Sequence, residues 1–195
     1  MSKAQSEPST RASDAAASGS GLDPSQCFAF PLDDFQLEAI DALNQGHSVV
    51  VSAPTGSGKT LVGEYAIYRA LAHGQKVFYT TPLKALSNQK LRDFREQFGD
   101  ENVGLLTGDL SVNREASIVV MTTEIFRNML YAEADEHDDP LADVEAVVLD
   151  ECHYMNDSQR GTVWEESIIH CPPPVQLVAL SATVANAGQL TDWIE

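Results

Sequence analysis

This sequence predicts an α/β domain, a parallel β-sheet sandwiched between helices, on three observations. Six short runs rich in Val, Ile and Leu recur along the chain, nearly continuous in apolar character, as strands buried on both faces are. Between them lie stretches whose apolar residues return every third or fourth position, and the connections are short. Such alternation builds parallel strands joined by helical crossovers. Length and composition agree, since 195 residues at 43% hydrophobic and 21% charged are enough for about one domain with a real core.

Taken in order, Met1 to about Gln26 is Ser, Ala, Thr, Pro and Gly with scattered charges and offers nothing to bury. Residues 1–26 are expected to be a disordered low-complexity tail, and 27–195 the folded domain. Strands are expected at Ser48–Ser52, Lys76–Thr80, Val103–Leu106, Ser117–Thr122, Ala146–Asp150 and Val175–Ser181. Helices are expected at Lys59–Ala72, Leu83–Phe98, Glu124–Tyr131 and about Arg160–His170, with Trp164 in the core by its helical spacing from Ile168. Glu133–Glu145 carries seven acids and no apolar period, which reads as a solvated loop.

A formal net charge of −17 argues against a partner held by a whole-surface positive field, so a nucleic-acid site must be a local groove. Arg69, Lys76, Lys84, Lys90, Arg92 and Arg95 fall within one stretch and suggest such a concentration, although Lys90, Arg92 and Arg95 also fit a solvated helix face. No apolar run approaches the ~20 residues that span a bilayer, and a cytoplasmic location is the expectation. Cys27, Cys152 and Cys171 show no paired spacing and read as reduced thiols.

Residues 48–60 form a strand, a glycine turn and a helix start, the setting of a phosphate-binding loop. Gly56 and Gly58 let backbone N–H groups turn toward phosphates, and the helix N-terminus adds its positive end. Lys59 is expected at the β- and γ-phosphates and the Thr60 hydroxyl at Mg²⁺. The strict pattern opens with Gly, where this chain has Ala53. Val147–His153 closes an apolar run with two carboxylates, placing Asp150 at the sheet edge where open α/β folds bind ligands. Asp150 is expected to serve Mg²⁺ and Glu151 to activate water.

With Ala53, Pro54, Thr55, Gly56, Ser57, Gly58, Lys59 and Thr60, with Asp150, Glu151, Cys152 and His153, and with Ser181, Ala182 and Thr183, the chain resembles motifs I, II and III of superfamily 2 DExH-box helicases. Phe35 and Gln36, Thr81 to Leu86, Thr107 to Asp109, Thr122 to Glu124 and Tyr154 to Asp157 make it similar to the superkiller-like RNA helicases. The resemblance covers about Phe28 to Glu195 and implies a P-loop NTPase, RecA-like domain that binds ATP with Mg²⁺. It makes Gln36 the expected adenine reader, its amide able to donate to and accept from a purine edge. It places Thr81, Pro82, Lys84 and Ala85, then Thr107, Gly108 and Asp109, then Thr122, Thr123 and Glu124 along the sugar-phosphate backbone of one strand. His153, Ser181 and Thr183 would couple the γ-phosphate to that track, with His153 bonding across to motif III.

The resemblance further implies a second RecA-like domain, in cis or in trans, supplying arginines worth ~10³–10⁵ in rate. The half present here is therefore expected to bind ATP and hydrolyse it slowly. Single-stranded RNA is the expected partner, with DNA open because backbone contacts do not read the sugar. A non-catalytic nucleotide-gated binding module is the reading from a different class. A P-loop kinase would share Lys59 and Thr60 but needs an acceptor pocket and lid that are not recognisable.

Overall fold

The computed structural model describes residues 21–131, 139–156 and 161–182. The order is α1 (Pro24–Cys27), α2 (Asp34–Asn44), β1 (Val49–Ser52), α3 (Thr60–His73), β2 (Lys76–Thr81), α4 (Lys84–Phe98), β3 (Val103–Leu106), β4 (Ser111–Val112), β5 (Ile118–Thr122), α5 (Thr123–Tyr131), β6 (Val144–Leu149), α6 (Gly161–Ile169) and β7 (Gln176–Ser181). The strands form one seven-stranded sheet in the order β1-β7-β6-β2-β5-β3-β4. All neighbouring pairs are parallel except the edge pair β3 and β4.

Alternation along each strand explains the two helical layers. Val77, Tyr79, Ala146, Val148, Val178 and Leu180 enter one core with Ile40 and Leu43 of α2, Ile67 of α3 and Phe94 of α4. Phe78, Val147, Leu149, Leu177 and Ala179 enter the other with Phe126 of α5 and Trp164 and Ile168 of α6. A fully buried Val, Leu or Ile side chain contributes on the order of 1.5–3 kcal/mol, so a sheet apolar on both faces is stable only when both are covered. Trp164 is 2% exposed and packs in the core as its spacing predicts. Helix α3 lies close on the sheet because a Cβ at Gly63 would stand 3.1 Å from Val148 and 3.2 Å from Leu180.

Three expectations need correction. Residues 21–26, grouped with the tail, belong partly to the fold, since α1 starts at Pro24 and Leu22 packs against the first core. The loop expected over Glu133–Glu145 ends earlier, because Val144 and Glu145 open β6 and Glu145 meets Arg69 in an ion pair of 2.5 Å. The basic stretch 69–95 is not one patch. Arg69 is 4% exposed and binds Glu145, the Leu43 carbonyl and Gln176, and Lys76 at the start of β2 pairs with Glu115, at the strand ends opposite Lys84. The antiparallel β4 was not anticipated, being two residues long.

Candidate functional site

Parallel strands bring their C-terminal ends to one edge, so sheet order sorts the expected motifs. The phosphate-loop segment follows β1, Ser181 ends β7 and Asp150 follows β6. Beyond them stand Thr81 at the end of β2, Thr122 at the end of β5 and Thr107 after β3. Nucleotide-type residues thus occupy one half of the edge and strand-holding residues the other.

In the loop, Gly56 and Gly58 have φ of 84° and 81°, a region L side chains rarely adopt. The Ala53 amide donates to the Ser181 carbonyl at 3.2 Å, so the backbone at this position continues the β1–β7 ladder. Lys59 precedes α3 and is 6% exposed. Among the described residues its ammonium has neither an ion-pair nor a hydrogen-bond partner, and the Gly56, Gly58 and Lys59 amides donate to no backbone carbonyl. The Ser57 hydroxyl is buried without a partner. A buried donor without an acceptor, as the Ser57 hydroxyl is among the described residues, is costly, and a polyphosphate would satisfy it together with the loop amides.

Asp150 lies one residue beyond β6 and is 6% exposed. Its Oδ1 accepts from the Glu151 amide at 2.9 Å and its Oδ2 from the Tyr79 hydroxyl at 2.8 Å. Burial, then the Asp150 charge, hold the Tyr79 hydroxyl well above its ordinary pKa, so Tyr79 stays a neutral donor. Glu151 has φ of 55°, and strain of this kind in a non-glycine residue costs on the order of 1–3 kcal/mol and gathers at functional sites. Among the described residues no group of three or more His, Cys, Asp or Glu could hold a metal ion. The donors that fit Mg²⁺ are the Thr60 hydroxyl and the Asp150 carboxylate, a small hard set of the kind that leaves room for phosphate and water.

His153 Nδ1 accepts from the Ala182 amide at 3.3 Å and stands 3.2 Å from Glu151 Oε2. One nitrogen cannot serve both, because accepting requires its lone pair and donating to the carboxylate requires a proton. The expected reach of His153 to motif III is thus present, with Glu151 as the competing partner. The Ser181 hydroxyl donates to the Ala182 carbonyl at 2.8 Å. Thr183 lies outside the described residues.

Gln36 is 2% exposed, takes the Asp33 amide on Oε1 at 2.8 Å and donates through Nε2 to the Gly58 carbonyl at 2.8 Å. It ties α2 to the phosphate loop, leaving one lone pair and one amide proton. A cavity of about 510 Å³ is lined by Phe28, Phe30, Leu32 and Leu37 together with Asp23 and Ser25. Sequence reasoning missed this cavity, whose signal is the aromatic spacing ahead of Gln36.

The strand-holding half differs from expectation. Thr81 and Thr123 are 1% and 3% exposed. The Thr81 hydroxyl shares a hydrogen bond of 2.7 Å with Ser87, and Thr123 donates to the Thr81 carbonyl at 3.3 Å. Their hydroxyls brace the starts of α4 and α5 and do not project as phosphate donors. Thr122 is also buried, and Pro82 half-buried, whereas Lys84, Ala85, Gly108, Asp109 and Glu124 are exposed. Thr107, Gly108 and Asp109 form the hairpin tip between β3 and β4, where the Thr107 amide donates to the Leu110 carbonyl at 2.8 Å. Lys84 reaches this tip in an ion pair of 2.8 Å with Asp109.

The family model for "DEAD/DEAH box helicase" matches residues 33–190. The chain belongs to this helicase family. It is 59% identical over 169 residues to "DExH-box ATP-dependent RNA helicase DExH15 chloroplastic" of Arabidopsis thaliana, covering 86% of this chain and 14% of that protein. It is 52% identical over 171 residues to "Antiviral helicase SKI2" of Saccharomyces cerevisiae, covering 88% of this chain and 13% of that one. The chain therefore spans about a seventh of the length of the curated helicases it matches. Among solved structures, the helicase Lhr of Mycobacterium smegmatis bound to ssDNA and AMP-PNP superposes with a TM-score of 0.63 at 29% identity, covering 82% of this chain and 24% of that chain. This is a helicase domain homologous to Ski2-like DExH RNA helicases, enzymes that hydrolyse ATP. Among the described residues no helix is long and apolar enough to cross a membrane.

Proposed function

We propose that this domain binds ATP with Mg²⁺ at the β1, β7 and β6 end of the sheet edge and single-stranded RNA along the β2, β5 and β3 end. It then serves as the ATP-binding half of an ATP-dependent RNA helicase, with a second RecA-like domain, in cis or in trans, closing the nucleotide site. The observation that carries this reading is Lys59, 6% exposed and with no partner for its ammonium among the described residues, beside loop amides that donate to no backbone carbonyl there. Lys59 would neutralise the β- and γ-phosphates, residues 56–60 would wrap them, and Gln36 with the Phe28 and Phe30 pocket would take the base. Mg²⁺, when bound, would screen the phosphate charge, with Thr60 and Asp150 as its protein donors. Glu151 would orient the attacking water and hold its proton. His153, on releasing Glu151, would stay on the motif III backbone and link hydrolysis to Ser181 and Thr183.

On the nucleic-acid side, Lys84 supplies charge and the exposed hairpin tip 107–109 supplies backbone donors, giving binding that tolerates sequence. RNA is favoured by two relatives, 59% and 52% identical, whose names include "ATP-dependent RNA helicase". DNA is the second reading, favoured by the ssDNA in the Lhr structure. A cytoplasmic location is the working assignment, with "chloroplastic" in one relative's name making cell fractionation its check.

The test is nucleotide binding and turnover by the purified chain, with and without single-stranded RNA and with DNA as competitor. Lys59→Ala should weaken binding by about a hundredfold, and Glu151→Gln should keep binding while losing residual turnover. Nucleotide affinity unchanged in Lys59→Ala would refute the site. Binding with no turnover even beside a second RecA-like domain would favour the non-catalytic module.

A further inference from the structure

Lys90, six residues into α4 from Lys84, does not lie on a solvated face. Its ammonium is 3.8 Å from Asp150 Oδ2, with side-chain exposures of 21% and 8%. It sits 5.2 Å from the centre of the Tyr79 ring and 5.5 Å from that of Phe94, so two aromatic faces fix its stem and attract its charge. The Tyr79 hydroxyl bonds the same Asp150 oxygen. Glu64 of α3 is a further carboxyl that feels this charge: burial raises it above its ordinary pKa while Gln97 and then Lys90 pull it down. The ammonium is thus paired with the carboxylate that follows β6 and is held by the helix that starts at Lys84.

A cation beside a metal carboxylate acts in two opposite ways: its charge repels a dication, and its fixed position orients the carboxylate. Ring packing removes the freedom that makes an exposed lysine a poor anchor. We propose that Lys90 is a positioning residue that, with Tyr79, holds Asp150 in the orientation a nucleotide-bound divalent ion requires. The proposal rests on the assignment of Asp150 to the metal.

The experiment titrates AMP-PNP into the 195-residue chain in Mg²⁺ and in EDTA, and takes the ratio of the two affinities. Lys90→Met, which can still lie on the rings, should lower that ratio about tenfold, as loss of a group that orients a metal ligand does, and leave the EDTA affinity unchanged. Lys90→Arg should recover most of it, and Lys90→Met added to Asp150→Asn should cost nothing further. Tyr79→Phe, which keeps the ring, should lower the ratio in the same way and stands in if Lys90→Met folds poorly. A ratio unchanged or raised in Lys90→Met and Tyr79→Phe, or a further loss on top of Asp150→Asn, overturns the role of Lys90 while Asp150→Asn alone still collapses the ratio. A ratio insensitive to Asp150→Asn sinks the metal assignment, and the role of Lys90 with it.

Discussion

Helix α3 carries two buried cations with opposite surroundings. Lys59, at its start, is 6% exposed with no partner among the described residues. Arg69, ten residues on, is 4% exposed and bound to Glu145, Gln176 and the Leu43 carbonyl. Near-equal burial therefore does not mean equal role. A buried charge with each of its nitrogens bonded is structure, whereas one with no partner among the described residues at the C-terminal sheet edge fits the proposed anion site.

Breaking each in turn should give crossed effects. Arg69→Met leaves Glu145, with a side chain 10% exposed, buried beside only a half-exposed His73. It should cost about 3–5 kcal/mol of stability, read by chemical denaturation, while the folded fraction binds nucleotide normally. Lys59→Ala should leave the denaturation midpoint unchanged or raised, because it removes a charge with no partner among the described residues, and lower ATP affinity by about a hundredfold. Equal stability losses in the two variants would erase the distinction.

A second contrast concerns Cys152, wedged behind Asp150 and 1% exposed. Burial pushes its thiol up to about 12 against the pull of a Ser181 hydrogen bond, and burial alone does the same at Cys171. The folded state therefore keeps protons that the unfolded state releases above the ordinary thiol pKa. Stability is fully present below about pH 8.5 and falls as pH rises, by up to about 1.4 kcal/mol per pH unit for each thiol. Denaturation from pH 8 to 11 should show that decline, and Cys152→Ala should make it shallower. An alkaline limb identical in the variant would show that Cys152 titrates normally.

The same contrast explains what was legible in advance. Strand runs such as Val147–Leu149 and the loop around Lys59 are local patterns, so sheet, helices and phosphate loop follow from neighbours in sequence. Whether Arg69 serves nucleic acid or the core depends on Glu145, 76 residues away, and no local pattern carries that. The Thr81 and Thr123 hydroxyls looked available because their residue type suits phosphates. The bond of Thr81 to Ser87 needs α4 to start where it does, and that of Thr123 to the Thr81 carbonyl arises only once β2 and β5 lie side by side. β4 escaped notice for a different reason: two residues with one apolar side chain carry no period, and the strand exists because it closes the hairpin onto β3.

The smallest expected effect sharpens the comparison on the strand-holding half, where Lys84 and Asp109 pair in the open with exposures of 54% and 71%. The Lys84 hydrogen bond, then that of Thr107, holds the Asp109 carboxyl below its ordinary pKa, so it is charged at neutral pH. Unlike Arg69, Lys84 pairs with a group that water would serve equally well, and an exposed pair of this kind adds little to stability. The pair should open when a phosphate competes for the ammonium, and the freed carboxylate then faces a polyanion. Asp109→Asn should accordingly tighten binding of single-stranded RNA by about threefold at low salt, a gain that fades as ionic strength shortens the ~10 Å screening length. Lys84→Ala should weaken binding and reduce the slope of log affinity against log salt by about 0.7. Weaker binding in Asp109→Asn would instead make Asp109 the group that aims Lys84 and Thr107 at the strand, giving this exposed pair the fixed geometry that Arg69 owes to burial.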